Sequence, residues 1–308
     1  MHKILEEALH DTTILEAAKK FSRRGEFLIY GVTGSQKVLP VAAAYELNPR
    51  PMIILVSDRE KISAWHDDLT ELSRAEVVEL PELDLIDVNA STIGIERKSK
   101  RLEVLARLLR RENLIVLATT AAAVKKDFSR QDFLNLQLQL NIGQNLSLED
   151  FLLKLDEFGY ERADEVDAIG KFSVHGGIVD FFPINEPSPC RVEFFGDEVD
   201  SLREIDFDTL RSKKKIQSIT IFPIKNFSKT SEPVLTCCET IIFDEPARIY
   251  EAINNLNAEN PDLKKKIFTF AELVQSARSN TLIYIELMLK KIRFIEPTEN
   301  FGIPPLTS

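Results

Sequence analysis

The fold of this chain is decided by the stretch Phe27-Leu28-Ile29-Tyr30-Gly31-Val32-Thr33-Gly34-Ser35-Gln36-Lys37-Val38. An apolar strand of four residues ends in a glycine turn, and a polar loop then leads into a helical stretch. Outward from this point the alternation repeats, since segments with helical spacing separate further apolar strands over 52–56, 77–80 and 114–118. Apolar strands separated by helices indicate a parallel sheet that is covered on both faces.

The loop after the first strand has part of the pattern of a phosphate-binding loop. In a working loop a glycine before the lysine lets backbone N–H groups close around the phosphates, and a hydroxyl after the lysine ligates Mg²⁺. Here Gln36 replaces that glycine and Val38 replaces the hydroxyl residue. We therefore predict a degenerate phosphate loop that keeps the strand–loop–helix shape without binding nucleotide. It comprises Gly31, Thr33, Gly34, Ser35, Gln36, Lys37 and Val38.

A residue able to hold the metal ion of a nucleotide is also missing from the apolar strands of the first domain. The nearest candidate is Asp244, which follows the strand Ile241-Ile242-Phe243 but is followed only by Glu245-Pro246. The three cysteines lack zinc-binding spacing, and the chain has only four histidines. We expect no metal, no cofactor and no catalytic residue, and we expect the cysteines to be reduced.

The hydrophobic period changes after Phe133. Apolar and polar residues then alternate, which predicts an antiparallel strand with one apolar and one solvated face. The apolar face carries Leu134, Leu136, Leu138, Leu140 and Ile142. A helix is predicted from a cap at Ser147 to Gly159. Short strands separated by turn residues follow from Phe172 to Phe207. These features predict a domain of α+β type.

The two patterns together predict an α/β protein in which one domain interrupts another. The first is a P-loop-like parallel-sheet domain formed by residues 1–132 and 219–308. The second is an α+β antiparallel domain, formed by residues 133–218 and inserted into the first. No apolar run reaches the roughly 18 residues of a membrane helix, and the start lacks the apolar core of a signal peptide. We therefore expect a cytoplasmic protein without membrane contact.

The charges of the chain are unevenly distributed. Residues 144–208 hold 17 acidic and 5 basic residues, a net charge of −12, so the rest of the chain carries +2 of the total of −10. A segment this acidic repels phosphate backbones and favours a protein partner over DNA. A helix over 97–111 has a basic face that either follows a nucleic-acid backbone or is simply solvated. That face comprises Arg97, Lys98, Lys100, Arg101, Arg107, Arg110 and Arg111.

Three segments carry a resemblance to a known family. Gly31-Val32-Thr33-Gly34-Ser35 resembles the first helicase motif of UvrB. Residues 170–183 and 191–203 resemble the second domain that UvrB shares with the bacterial transcription-repair coupling factor Mfd. The resemblance covers most of residues 20–225 and implies a RecA/helicase-like first domain. UvrB keeps a working phosphate loop whereas the N-terminal module of Mfd has lost it, so the degenerate loop favours the Mfd type.

The resemblance also implies a binding surface for the damage sensor UvrA on the second domain. In the family this surface uses an arginine before the Gly-Gly turn, an arginine that opens the next strand and an aromatic residue four positions later. Arg191 and Phe195 match the latter two, whereas His175 stands at the first position. Histidine is smaller and only partly charged near neutral pH, so a permanent bidentate ion pair is lost there.

The residues alone leave alternatives open for this surface. Phe195 could be a core residue, and Arg191 could form a cross-strand salt bridge with a neighbouring carboxylate. Because side chains alternate along a strand, Val192 and Phe194 point to the opposite face. If these two belong to the core, then Arg191, Glu193 and Phe195 form an exposed strip.

The same resemblance implies what the chain does. We expect a non-catalytic module that recruits UvrA in transcription-coupled nucleotide excision repair, excised from the N-terminal part of a longer protein. The full-length protein would also bind RNA polymerase and carry an ATP-driven translocase on duplex DNA, through domains that 308 residues cannot contain. Two alternatives remain, a nucleotide-dependent DNA-binding enzyme of the UvrB type and a domain that only packs against its own full-length chain.

Overall fold

A computed structural model describes residues 2–83, 92–135, 137–224, 231–291 and 294–304. The helices are α1 (Lys3–His10), α2 (Thr12–Lys20), α3 (Val38–Leu47), α4 (Glu60–Leu72), α5 (Thr92–Leu109), α6 (Thr120–Val124), α7 (Arg130–Asn135), α8 (Leu148–Phe158), α9 (Pro246–Glu259) and α10 (Phe270–Ser276). The strands are β1 (Gly25–Tyr30), β2 (Met52–Val56), β3 (Val77–Glu79), β4 (Ile115–Thr119), β5 (Leu138–Asn141), β6 (Glu161–Arg162), β7 (Lys171–His175), β8 (Ile178–Phe181), β9 (Cys190–Phe195), β10 (Glu198–Ile205), β11 (Ser212–Lys215), β12 (Ser218–Ile221), β13 (Thr240–Asp244), β14 (Thr281–Glu286) and β15 (Glu299–Gly302). Short 3₁₀ helices lie at Gly34–Lys37, Val234–Cys237 and Pro261–Lys265.

These elements form two compact units. The first unit contains the described residues within 1–86, 104–126 and 231–308, and the second contains those within 87–103 and 127–230.

The first unit is built around a seven-stranded parallel sheet with the strand order β15-β1-β14-β13-β2-β4-β3. Strands β2, β4, β13 and β14 are buried along their whole length. They are continuous apolar runs because a sheet covered on both faces leaves few strand positions in contact with water. The predicted α/β class with a parallel-sheet domain is confirmed.

Both faces of this sheet are covered by helices. Helices α1 to α4 cover one face, where their buried side chains, such as Ile14 and Trp65, share a core with Ile242 of β13. On the opposite face Phe243 packs against Phe270 of α10, with 5.7 Å between the ring centroids. Because adjacent residues of a strand point to opposite faces, Ile242 and Phe243 join β13 to both layers.

The second unit has a six-stranded sheet with the order β11-β10-β9-β8-β7-β6, in which only the β6–β7 pair is parallel, and a separate antiparallel pair, β5 and β12. Helix α8 packs on the sheet through Phe151, whose ring lies 5.5 Å from that of Phe181 and 5.6 Å from that of Phe194. The helix begins after Ser147, whose hydroxyl accepts a backbone N–H at 3.0 Å, and ends at Gly159 with φ of 86°. The predicted helix and its inserted antiparallel domain are confirmed.

The second unit extends beyond the predicted limits of 133–218. Strand β12 pairs with β5, and Ile219 and Ile221 are buried in the core of this unit. The difference arises because strands far apart in the chain pair here, and a hydrophobic period does not reveal such pairing.

The strand predicted over Leu134–Ile142 is shorter in the structure. Helix α7 occupies its first part, and β5 begins only at Leu138. The ring of Phe133 packs against those of Phe128 and Phe222, at centroid distances of 6.2 and 4.6 Å. Aromatic packing therefore overrides the alternating pattern at this point. Leu136 lies outside the described residues.

The basic face predicted for the 97–111 helix is interrupted. Arg101, which was expected to be exposed, is 2% exposed and lies 3.0 Å from the carboxylate of Asp127. Arg107 lies 2.5 Å from Glu76 and 2.7 Å from Glu112. Arg110 lies 2.9 Å from Glu112, and Arg111 lies 3.7 Å from Glu239. Carboxylates therefore pair with four of the seven basic residues, which weakens the alternative of a nucleic-acid-binding face.

Candidate functional site

Two hairpin turns meet at one end of the sheet in the second unit. Gly176-Gly177 joins β7 to β8, and Gly196-Asp197 joins β9 to β10. The N–H of Phe194 donates to the carbonyl oxygen of Gly177 at 2.8 Å. A Cβ atom at Gly177 would lie 3.0 Å from the carbonyl oxygen of Phe194, so the close approach of these two chains favours glycine. This contact sets the end of β9 beside the turn that follows His175.

Strand β9 has one buried face and one open face. Val192 is fully buried, and Phe194 is partly buried against the core of the second unit. Arg191 and Glu193 are half-buried on the other face, and Phe195 is 83% exposed. The strip predicted from strand alternation is therefore present, and Phe195 is not a core residue. We call Arg191, Glu193 and Phe195 the exposed strip.

Arg191 forms a bidentate ion pair across the strands. Its register partner on β8 is Asp180. The Nε of Arg191 donates to Oδ1 of Asp180 at 2.6 Å, and Nη2 donates to Oδ2 at 2.7 Å. These hydrogen bonds raise the pKa of Arg191 above its ordinary value. Arg191 thus forms the cross-strand salt bridge that the sequence left open, although 26% of its side chain stays exposed.

The remaining polar residues of this face are also ordered by cross-strand bonds. Oε2 of Glu193 accepts a hydrogen bond from Arg203 at 2.9 Å and one from Ser201 at 2.8 Å. His175 is exposed and pairs with Ile178, which in turn pairs with Glu193. His175 therefore lies in the same cross-strand row as Glu193, two strands or about 10 Å away.

The segment predicted to be a degenerate phosphate loop lies at the carboxyl end of β1 in the first unit. Gly31 and Gly34 have positive φ angles of 92° and 52°, which form the turn into the 3₁₀ helix. Thr33, Gly34 and Ser35 are exposed, Gln36 and Lys37 are half-buried, and Val38 is fully buried at the start of α3. The predicted strand–loop–helix shape is present.

The lysine of the loop is held by a buried aspartate. Nζ of Lys37 lies 2.6 Å from Oδ2 of Asp244, at the end of β13. The same oxygen accepts a hydrogen bond from Nε1 of Trp65 at 2.9 Å, and Nζ of Lys37 lies 5.0 Å from the centroid of the Trp65 ring. The side chain of Asp244 is 1% exposed and that of Lys37 is 17% exposed. We call these three residues the lysine cluster.

Other parts of the first unit also close around the loop. The N–H of Gly31 donates to the carbonyl oxygen of Leu287 at 3.1 Å, and the N–H of Ile303 donates to that of Tyr30 at 2.8 Å. A Cβ atom at Gly31 would lie 2.4 Å from the carbonyl oxygen of Ile303, so this position requires glycine. Gly31 thus packs closely against the protein's own backbone.

Glu245, next to Asp244, is engaged as well. Its carboxylate bonds to Lys61 and lies 3.0 Å from Arg248. Burial, the largest single effect, opposes the ionisation of Glu245. The hydrogen bond from Lys61 and the charges of Lys61, Arg248 and Lys37 together outweigh burial, so the pKa of Glu245 is lowered. In the described part of the chain, no group of three or more His, Cys, Asp or Glu residues is arranged to hold a metal ion.

Two residues of these sites were missed by sequence reasoning. Asp180 lies inside the segment 170–183 that carries the family resemblance, but its partner follows only from the register of β8 against β9. Trp65 lies on the buried face of α4, and its indole N–H reaches Asp244 from there. A search for buried polar groups that need a partner could have singled out Asp180, since it stands between two apolar residues of a strand.

A comparison with known families places the exposed strip within a described domain. Residues 138–227 match the UvrB interaction domain. These matched residues include the exposed strip, Asp180 and His175.

Relatives that align with 65–70% of this chain agree with this match. The transcription-repair-coupling factor of Bacillus subtilis (strain 168) is 34% identical over 202 residues, which are 65% of this chain and 17% of that protein. The factor of Staphylococcus aureus (strain bovine RF122 / ET3-1) is 29% identical over 208 residues, 67% and 18% of the two chains. The UvrABC system protein B of Thermosipho africanus (strain TCF52B) is 29% identical over 231 residues, 70% and 34% of the two chains.

The resemblance to UvrB and Mfd that was predicted from the sequence is therefore confirmed. The chain spans less than a fifth of the coupling factors that it matches. Across the described ranges, no helix has the length and apolar character needed to cross a membrane.

Proposed function

We propose that this chain is a protein-binding module that recruits UvrA through the exposed strip. The observation that carries the proposal is Phe195, a large aromatic side chain that is 83% exposed inside the part that matches the UvrB interaction domain. It stands on the same strand face as Arg191, and an aromatic residue beside an arginine on a rigid strand is typical of a binding hot spot. The charge of −12 over residues 144–208 also favours a protein partner over nucleic acid.

Titration of purified UvrA against the immobilised chain tests this function. We expect saturable binding, and we expect an excess of UvrB to compete because a UvrB-type relative aligns with 70% of this chain. Absence of binding at tens of micromolar UvrA would refute the proposal. Binding that UvrB fails to displace would place the contact on another surface.

The substitution His175→Arg should strengthen UvrA binding by about threefold to tenfold. The side chain of His175 is exposed in the row of Glu193, and the family resemblance implies an arginine there. An arginine carries a permanent charge and a fork of donors, so the gain should shrink as the salt concentration rises. His66→Arg, at a half-exposed histidine of the first unit, is the matched control. Equal effects of the two substitutions would show that only net charge matters.

We also propose that the chain neither binds nor hydrolyses nucleotide, in contrast to the alternative of a UvrB-type enzyme. Gln36 and Val38 lack the groups that close a phosphate loop, and Lys37 is already paired with Asp244. We expect no phosphate release and no change in melting temperature with millimolar Mg-ATP. A ligand at a hundredfold excess over its Kd stabilises the native state by about 2.7 kcal/mol, so binding would be visible. A clear upward shift would support the enzyme alternative.

Restoring the loop residues alone should not restore binding. In the double variant Gln36→Gly/Val38→Thr, Lys37 stays paired with Asp244. We expect this variant to respond to Mg-ATP as the wild-type protein does.

The chain would act as one part of a longer repair protein. Its similarity to transcription-repair-coupling factors, of which it covers 17 to 18%, supports a role in transcription-coupled nucleotide excision repair. RNA polymerase and duplex DNA would then be bound by other regions of that protein. Such a role belongs in the cytoplasm.

A further inference from the structure

Asp180 is an acidic residue buried on a face of the sheet that is otherwise partly open. It is 2% exposed, whereas Arg191 and Glu193 on the neighbouring strand are half-buried. Both carboxylate oxygens of Asp180 accept hydrogen bonds from one guanidinium, at 2.6 and 2.7 Å. A buried carboxylate is costly unless it is paired in this way, so Asp180 and Arg191 form one unit.

The pairing fixes the orientation of the Arg191 side chain. Nε and Nη2 face Asp180, which leaves Nη1 with two N–H groups. Among the described residues Nη1 has no hydrogen-bond partner, and 26% of the side chain is exposed. A bidentate pair restricts the plane of the guanidinium, so little rotamer freedom is left to lose when a partner binds.

We propose that Asp180 is a positioning residue for partner recognition, which holds Arg191 so that Nη1 donates to an oxygen acceptor on the partner. The inference rests on the proposed function, with UvrA as the partner. Because the Asp180–Arg191 pair is neutral as a whole, the acceptor is a carbonyl or carboxylate oxygen that needs a directed donor. Asp180 acts through Arg191, whereas Phe195 acts by its own burial at the interface.

A double-mutant cycle tests this dependence. We expect Asp180→Asn and Arg191→Lys each to weaken UvrA binding about tenfold, because each removes the fork that fixes Nη1. The double variant should bind about as well as either single variant, since both changes remove one interaction. In the double variant Asp180→Asn/Phe195→Ala, the change at Asp180 should still weaken UvrA binding by its full factor relative to Phe195→Ala alone. Titrations and melting curves are measured on the same preparations.

The control is a second buried aspartate–arginine pair in the same unit. Asp127 lies 3.0 Å from Arg101, and the side chain of Asp127 is 9% exposed. Asp127→Asn should lower stability and leave UvrA affinity unchanged. NMR of the Arg191 Nε–H group gives a readout without UvrA, because its exchange with water should be slow in the wild-type protein and fast in Asp180→Asn.

The outcomes distinguish failure of the proposed function from failure of the positioning role of Asp180. No binding by the wild-type protein overturns the proposed function and this inference with it. Wild-type binding that is retained in folded Asp180→Asn, or losses that add up in the double variant, overturns the inference alone. If Asp180→Asn fails to fold, Arg191→Lys decides, because it keeps a cation beside Asp180 but lacks the fork, and unchanged affinity would then overturn the inference.

Discussion

Replacing Lys37 by methionine is expected to lower the free energy of unfolding by about 3–5 kcal/mol, the typical cost of removing one partner from a buried ion pair. The substitution leaves the carboxylate of Asp244 1% exposed and without its cation. The hydrogen bond from Trp65 compensates only in part, since one neutral donor contributes about 1 kcal/mol. Lys37 would thus be a structural residue.

Urea unfolding at pH 7, followed by circular dichroism, measures this effect. Lys61→Met is the matched control, because its partner Glu245 is 31% exposed and such a pair contributes at most about 1 kcal/mol. The double variant Lys37→Met/Asp244→Leu should recover most of the loss, since both charges are then absent. An unchanged unfolding midpoint in Lys37→Met would show that the lysine cluster does not stabilise the first unit.

Replacing Phe195 by alanine is expected to weaken UvrA binding by at least about 2 kcal/mol, roughly thirtyfold in Kd. The stability of the chain should hardly change, because a ring that is 83% exposed contributes little to the core. A core phenylalanine would instead cost about 3–5 kcal/mol of stability when truncated. Phe195→Ala should therefore lower the affinity for UvrA without lowering the stability of the chain.

The measurement is a titration of UvrA with melting curves in parallel. Leu153→Ala is the control, since Leu153 is 64% exposed on α8 in the same unit but lies outside the exposed strip. Both variants should melt like the wild-type protein, and only Phe195→Ala should lose affinity. Equal affinity of the two variants would remove Phe195 from the binding surface.

Arg191→Glu, a reversal of charge, is a less direct test of the same surface. It places a second carboxylate against the buried Asp180, and two like charges in contact destabilise a sheet. Loss of binding could then follow from loss of structure. Arg191→Lys keeps the positive charge and avoids this difficulty.

Features with a local cause were predicted well from the sequence. The parallel sheet follows from apolar strands spaced by helices, and helix α8 follows from its caps at Ser147 and Gly159. The exposed strip follows from the alternation of Val192 and Phe194 with their neighbours. In each case the information lies within a few residues, where side-chain periodicity is fixed by backbone geometry.

Features that depend on distant pairing were not predicted. The Asp180–Arg191 pair requires the register of two strands, and the lysine cluster joins residues 207 positions apart. Arg101 belongs to the predicted basic face by spacing, yet Asp127 binds it in the interior. These contacts depend on which elements become neighbours, and neither propensity nor period encodes that choice.

The strand order of the first unit has a consequence for synthesis on the ribosome. Strand β1 has β14 and β15 as its neighbours in the sheet, so the apolar residues Phe27–Tyr30 wait for a partner until 281–286 have been made. At 5–20 residues per second this interval is roughly 10–50 s, and the strands of the second unit emerge within it. The nascent chain therefore carries an unpaired, aggregation-prone strand until residues 281–286 emerge, and a chaperone that covers Phe27–Tyr30 would protect it during this interval.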